Sequence, residues 1–356
     1  MGLIRLFFAL SVLVSHSFPL FGNSIVGPEP AVRGFFVISG FYMALILNEK
    51  YIKKNGSYKL FITNRLLRIY PINYVILIAS IIISYVFFYM HLNVGSLAYY
   101  LSNIKPDTHS IFLYGTPLDI LRDFTILFRF DYFTLNPNNN EFLFLPQAWT
   151  LVMELLFYLV APFIARKNFK LISVLILLSI LIRFFVFYYL RLNHLPTTDR
   201  FFPAEIVFFL LGIVSYRIYT KVKKINVNKY FSSLIFITLI LFTLFYNFIP
   251  LEFQYHWIGL KVWIYLGFLM LSIPFLFNFT NKHWLDKFIG NLSYPVYISH
   301  LTILTILINL NLVNEKSSNF TILLILSTLI FSEVLVIFIE KPIDIWRQRR
   351  LQSPKP

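Results

Sequence analysis

The feature that most constrains this chain is a succession of apolar runs, each about 20 residues long and separated by short polar clusters. They fall near 2–20, 32–47, 69–90, 147–165, 171–190, 202–219, 230–250, 257–278, 288–310 and 320–340. At 1.5 Å rise per residue, a helix of about 20 residues crosses the roughly 30 Å hydrocarbon core of a bilayer. No water is available there, so each segment must satisfy its own backbone, which leaves the α-helix for continuous apolar runs of this length. The expected fold is therefore all-α: a polytopic integral membrane helical bundle of about ten transmembrane helices, with residues 1–356 as one membrane domain. A composition that is 58% hydrophobic and only 13% charged excludes a soluble globular fold. The first run lacks a small-residue cleavage site and carries Arg5 and His16, so it reads as a mature helix rather than a signal peptide.

The charges are unequal, 31 Lys plus Arg against 16 Asp plus Glu, but they lie between the apolar runs and not along a nucleic-acid-binding face. On the ten-span scheme, 22 of the basic residues fall on one side and seven (Arg33, Lys105, Arg122, Arg129, Arg191, Arg200, Lys316) on the other. Cytoplasmic loops carry the excess of Lys and Arg, so both termini are expected in the cytoplasm. Residues 118–133 have helical apolar periodicity interrupted by charges. Counting them as a span would put every later basic cluster outside. They are expected to form a re-entrant or interfacial helix in a long extracytoplasmic loop, 91–146, with a turn-rich Asn-Pro-Asn-Asn-Asn at 136–140. No fixed-period repeat is visible. The absence of cysteine excludes disulfides, thiolate metal sites and a cysteine nucleophile; no metal site is expected.

Ionisable residues within the spans are costly and become functional candidates. Arg5 and His16 are eleven residues apart, which places them on one helix face with a rise of roughly 16 Å between them. An imidazole can take a proton from an attacking hydroxyl near neutral pH; a histidine bonded across helices for structural reasons fits the same pattern. Glu154 lies mid-span, where a carboxylate orients an imidazole, binds a sugar hydroxyl, or pairs with Arg183 or Lys261 as internal glue. His300 shares a helix face with Tyr297 in a polar seam. Arg65 and Arg68 stand at i and i+3 at the start of the third run, suited to phosphate recognition or to topological anchoring. Phosphate-cradling glycine motifs are absent.

Several of these residues lie in motifs that occur in a fixed order: Arg5 to His16, Gly-Phe-Phe-Val-Ile-Ser-Gly-Phe (34–41), Arg-Leu-Leu-Arg-Ile-Tyr-Pro (65–71) and Trp-Thr-Leu-Val-Met-Glu-Leu-Leu-Phe-Tyr (149–158). Leu-Leu-Gly (210–212), Gly-Asn-Leu-Ser-Tyr-Pro-Val-Tyr-Ile-Ser-His (290–300) and Ile-Glu-Lys-Pro (339–342) follow. The chain thereby resembles, over nearly its whole length, the acyltransferase 3 family of integral membrane proteins that O-acylate cell-envelope sugars. The resemblance implies ten helices, His16 as the essential histidine with Arg5 as its motif partner, and Arg65 and Arg68 at the acyl-CoA site. Leu67 occupies a position where some members carry arginine. Some relatives add a soluble SGNH-type hydrolase-like domain, and none is expected after the last helix here.

The expected function is that of a membrane-bound O-acyltransferase moving an acyl group, acetyl in the leading case, from acyl-CoA to a hydroxyl of a cell-surface polysaccharide or its lipid-linked precursor. Its partners would be the bilayer of the inner membrane, the CoA donor as co-substrate and a glycan acceptor, with no permanently bound cofactor and no nucleic acid. His16, Arg5 and Glu154 are the catalytic candidates; Ser39, Tyr297 and His300 would shape the site. Direct transfer and an acyl-histidine intermediate both fit. The rival readings are a polysaccharide or lipid flippase, which would favour interrupted helices in two related halves, and a non-catalytic membrane scaffold.

Overall fold

The computed structural model describes residues 1–51, 57–94, 124–125, 145–191, 199–225, 227–250 and 259–352. Among these residues the regular structure is helical, apart from one β-bridge between Leu20 and Asn23. The helices are α1 (Gly2–Ser15), α2 (Pro28–Glu49), α3 (Tyr58–Tyr89), α4 (Trp149–Ile164), α5 (Phe169–Phe184), α6 (Phe202–Val222), α7 (Lys229–Leu244), α8 (Leu260–Thr280), α9 (Trp284–Leu310), α10 (Ser318–Leu335) and α11 (Lys341–Gln352). Eight stretches are long and apolar enough to cross a membrane, while Gly2–Ser15 and Lys229–Leu244 are shorter apolar helices. The ten expected runs thus match α1 to α10 in order, with corrections to their extent at α1 and α3, and with α7 ending at Leu244, six residues before its run does.

The first correction is α1, which stops at Ser15 instead of running to residue 20. Ser15, His16 and Ser17 form a polar cluster, and Pro19 cannot continue the helix. At about 21 Å, fourteen residues are too short to span alone, and α1 is instead enclosed by protein, with Ile4, Phe8, Ala9 and Leu13 fully buried. The second correction is α3, which starts eleven residues before the apolar run, capped by Ser57 Oγ accepting from Leu60 N at 3.3 Å. Asn168, Asn228 and Ser317 cap α5, α7 and α10 in the same way.

Two parallel helix pairs organise the bundle, each through a glycine contact. A Cβ on Gly2 would meet the Asp286 carbonyl, and one on Gly290 would meet the Gly2 Cα, so α1 and α9 start side by side. A Cβ on Gly40 would lie 2.0 Å from the Phe209 carbonyl, and one on Gly212 2.1 Å from that of Val37, which locks α2 to α6. Phe209 is stacked between Phe36 of α2 (centroids 4.6 Å) and Phe157 of α4 (4.4 Å), so three helices are registered by one aromatic column. The start of α3 meets the end of α4, since the Tyr58 hydroxyl donates to Leu159 O at 3.2 Å. With α2 and α6 parallel, the segment between α3 and α4 must begin and end at one side of the bundle, as expected for a loop. The helix expected at 118–133 lies outside the described residues, except for 124 and 125.

Arg33 is a further correction. Counted in the sequence as an extracytoplasmic loop charge, it lies inside α2 and is buried. Its guanidinium pairs with Glu29 at 2.5 Å and Asp199 at 2.8 Å, while Arg183 of α5 pairs with Glu205 of α6 and with Asp199 at 3.3 Å. Both guanidiniums lie over the Phe208 ring. The network ties α2, α5 and α6 together at the end of the bundle opposite the chain's start.

Candidate functional site

Between α1, α2, α3, α4 and α9 lies a cavity of about 90 Å³, well above the roughly 10–15 Å³ that one water needs. Its lining follows from helical spacing. α2 contributes Val32, Phe35, Phe36, Ser39, Tyr42 and Met43 from one face; α4 contributes Thr150, Leu151, Glu154 and Tyr158; α9 contributes Ser293, Tyr294 and Tyr297. Arg5 enters from α1, with Arg68 and Ile69 from α3. Five of the eight residues singled out in the sequence, Arg5, Ser39, Arg68, Glu154 and Tyr297, therefore meet in one chamber. Because α3 begins at Tyr58, Arg68 is more than two turns inside the helix rather than at its start.

Glu154 is the acceptor at the centre of the chamber. Its Oε1 takes hydrogen bonds from Ser39 Oγ at 2.8 Å and from the Tyr158 hydroxyl one turn along α4. Its partners are thus neither Arg183 nor Lys261, and no imidazole is oriented by it: Arg183 belongs to the network with Glu205, and the Lys261 ammonium lies 4.5 Å from the Tyr246 ring centroid. Arg5 and Arg68 form no ion pair within 4 Å among the described residues, although both lie within electrostatic reach of Glu154, Glu340 and Tyr42. Two guanidiniums facing one enclosed space without a salt-bridge partner make it receptive to an anionic group.

The remaining three candidates lie outside the chamber. Arg65 is buried within electrostatic reach of Arg68, Tyr158 and Arg347, and its Nε has no hydrogen-bond partner among the described residues. His16 and His300 form a pair with ring centroids 5.3 Å apart. His300 is fully buried, whereas His16, just past the end of α1, is exposed. Tyr297 joins the two regions. It lines the chamber, its hydroxyl is bonded with Thr150 Oγ1 at 3.0 Å, and its carbonyl lies 2.7 Å from His300 Nδ1.

Sequence reasoning missed Tyr42, Tyr158, Tyr294 and Glu340. Tyr158 was legible as the i+4 neighbour of Glu154; tyrosine is too common in this chain, at 22 residues, for Tyr42 or Tyr294 to stand out. Glu340 ends a π-helical turn, Val336–Glu340, and faces a small cleft that Arg68 also lines, with its Oε2 buried and without a hydrogen-bond partner among the described residues. Such turns recur at functional sites. Among the described residues no cluster of three or more His, Asp or Glu could hold a metal ion.

Parallel inner helices enclosing a polar chamber, in a bundle whose outer faces are apolar, define a polytopic membrane protein with an internal reaction or binding space. The chain belongs to the acyltransferase 3 family, whose acyltransferase domain matches residues 1–337, and is accordingly a membrane acyltransferase. An uncharacterized protein of Haemophilus influenzae is 27% identical to it over 227 residues, covering 59% of this chain and 84% of the relative. No solved structure matches it.

Proposed function

We propose that this membrane acyltransferase moves an acyl group, acetyl in the leading case, from acyl-CoA to a hydroxyl of a cell-surface polysaccharide or its lipid-linked precursor. It would act in the inner membrane of a bacterium, with both termini in the cytoplasm and the acceptor arriving from the opposite side. The observation that carries this reading is the pair Arg5 and Arg68, facing one chamber without ion-pair partners among the described residues, with an exposed imidazole, His16, at the far end of α1 about 16 Å from the level of Arg5. A donor with phosphates at one end and a thioester at the end of a long flexible arm suits that separation.

In the step proposed for His16, a ring nitrogen takes the proton of the acceptor hydroxyl as its oxygen bonds to the thioester carbonyl carbon. The carbon–sulfur bond then breaks, and the CoA thiolate leaves and takes a proton. Arg5 and Arg68 bind the anionic end, with Glu154 fixing Ser39 and Tyr158 in the chamber wall between them.

The test is acyl transfer by the purified protein. Acyl-CoA should be consumed with release of free CoA thiol in the presence of a glycan acceptor. His16→Gln, which keeps hydrogen bonding but cannot relay the proton, should lower turnover by about 10²-fold or more while acyl-CoA still binds. A wild-type protein that neither binds nor consumes acyl-CoA would overturn the donor assignment, and a His16→Gln variant with normal turnover would overturn the base.

A further inference from the structure

His300 is a fully buried histidine whose ring Nδ1 lies 2.7 Å from the carbonyl oxygen of Tyr297. A carbonyl oxygen can only accept, so Nδ1 carries the proton of this bond. An imidazole removed from water is held neutral and has a single N–H. Nε2 of His300 is therefore a bare acceptor, and it is buried with no hydrogen-bond partner among the described residues. The neighbouring ring is that of His16, tilted by 34° with its centroid at 5.3 Å. Each ring nitrogen lies about 1 Å from its centroid, so two imidazoles joined by an N–H···N bond of normal length have centroids roughly 5 Å apart. The two rings therefore stand at the separation that such a bond requires.

We propose that His300 is a positioning residue for His16: its Nε2 accepts one ring N–H of His16, fixes that tautomer, and leaves the other His16 nitrogen bare and facing outward. The inference rests on His16 being the base of the acyl transfer. It adds the reason why His16 stands ready in the proton-accepting form and in one orientation. An orienting acceptor behind a catalytic imidazole is usually a carboxylate or a backbone carbonyl, but the chamber's carboxylate, Glu154, is bonded to Ser39 and Tyr158. His300 is held in turn by α9's own backbone, so its acceptor nitrogen is presented by a rigid helix. When His16 takes the hydroxyl proton, it becomes an imidazolium that still donates to His300. No proton need pass to His300, and the proton returns from the outward nitrogen to the leaving thiolate.

The test uses the full-length protein with 15N-labelled histidine in nanodiscs, where imidazole nitrogen shifts separate N–H from bare nitrogen. The His16 signals are those lost in His16→Gln. In the wild type, His16 should show a single tautomer. His300→Phe keeps a ring but removes the acceptor: His16 should then average between tautomers, and kcat should fall about tenfold with the KM for acyl-CoA unchanged. His300→Gln places an amide oxygen near the position of Nε2 and should restore both the tautomer and most of the rate. Unchanged His16 signals in His300→Phe, or a Gln variant as impaired as the Phe variant, would overturn the proposal. Normal turnover in His16→Gln would instead remove the catalytic role of His16 and leave the tautomer result standing, so the two readings fail separately.

Discussion

Arg68 has no salt-bridge partner within 4 Å among the described residues, lines the chamber on one side of α3, and borders the cleft containing Glu340 on the other. Keeping a guanidinium in such a place is costly unless an anion completes it. Arg68→Ala should therefore raise the KM for acyl-CoA at least tenfold, measured alongside direct binding of the donor, with the fold intact. Arg68→Lys should recover only part of the affinity, because an ammonium offers a point charge in place of a planar fork; unchanged donor affinity in the Ala variant would take Arg68 out of the site. Much of this site was legible in the sequence. Arg5 and Glu154 announce themselves because charges inside apolar runs require a reason, whereas Arg68 stands at the edge of a run and Ser39 and Tyr297 were marked only through the motifs that contain them. The grouping was not legible: nothing in the spacing says that Arg68 lines the chamber while Arg65, one turn away, does not, or that His16 pairs with His300 instead of sharing the cavity with Arg5. Those facts depend on which helices are neighbours, and the sequence carries no signal of that at residue resolution.

At the scale of the element, the number and order of helices followed from hydropathy, whereas their ends followed from capping chemistry. Apolar periodicity could not find the start of α3, because Tyr58 to Arg68 are too polar to count as membrane-like; Ser57 sets the start by its cap. Arg33 was misplaced for the converse reason. A charge near the start of an apolar run looks like loop charge until Asp199 and Glu205 are found beside it. The contact of α2 with α6 has a sharp consequence. A side chain at Gly40 would meet backbone atoms of Phe209, which no rotamer change can move aside. Gly40→Val should therefore destabilise the bundle by about 3 kcal/mol, the upper end of the usual overpacking cost, and shift the column of Phe36, Phe209 and Phe157 that registers α4. Gly267→Ala in α8 is the control: nothing lies within 4 Å of its added Cβ, so thermal unfolding should show no loss and up to about 1 kcal/mol of gain. Equal losses in the two variants would refute the close-contact argument.

For the whole molecule, helix directions and loop charges are independent lines of argument that meet at one topology. The pairs Gly2–Gly290 and His16–His300 make α1 parallel to α9, and the pairs Arg33–Glu205, Phe36–Phe209 and Glu49–Lys223 make α2 parallel to α6. Alternation through α6, α7, α8 and α9 satisfies both pairs, and on the other side of α2 it requires that the segment between α3 and α4 return to the side it left. The charge count is the basis of the proposed orientation: leaving out Arg5, Arg65, Arg68 and Arg33, which lie inside helices, 19 Lys and Arg on one side against six on the other favour a cytoplasmic start for α1. In the proposed orientation Arg5 would lie toward the cytoplasm and His16 toward the outside, which is the order a cytoplasmic donor and an external acceptor require. Because the chain has no cysteine, single introduced thiols report without background. A cysteine at Asn138 should react with a membrane-impermeant maleimide added to intact cells whose outer barrier has been opened, and one at Lys224 should react only after the membrane is permeabilised. Labelling of the Asn138 thiol solely from the cytoplasmic face would invert the molecule. It would also place His16 on the donor's side, where it could not meet an external glycan.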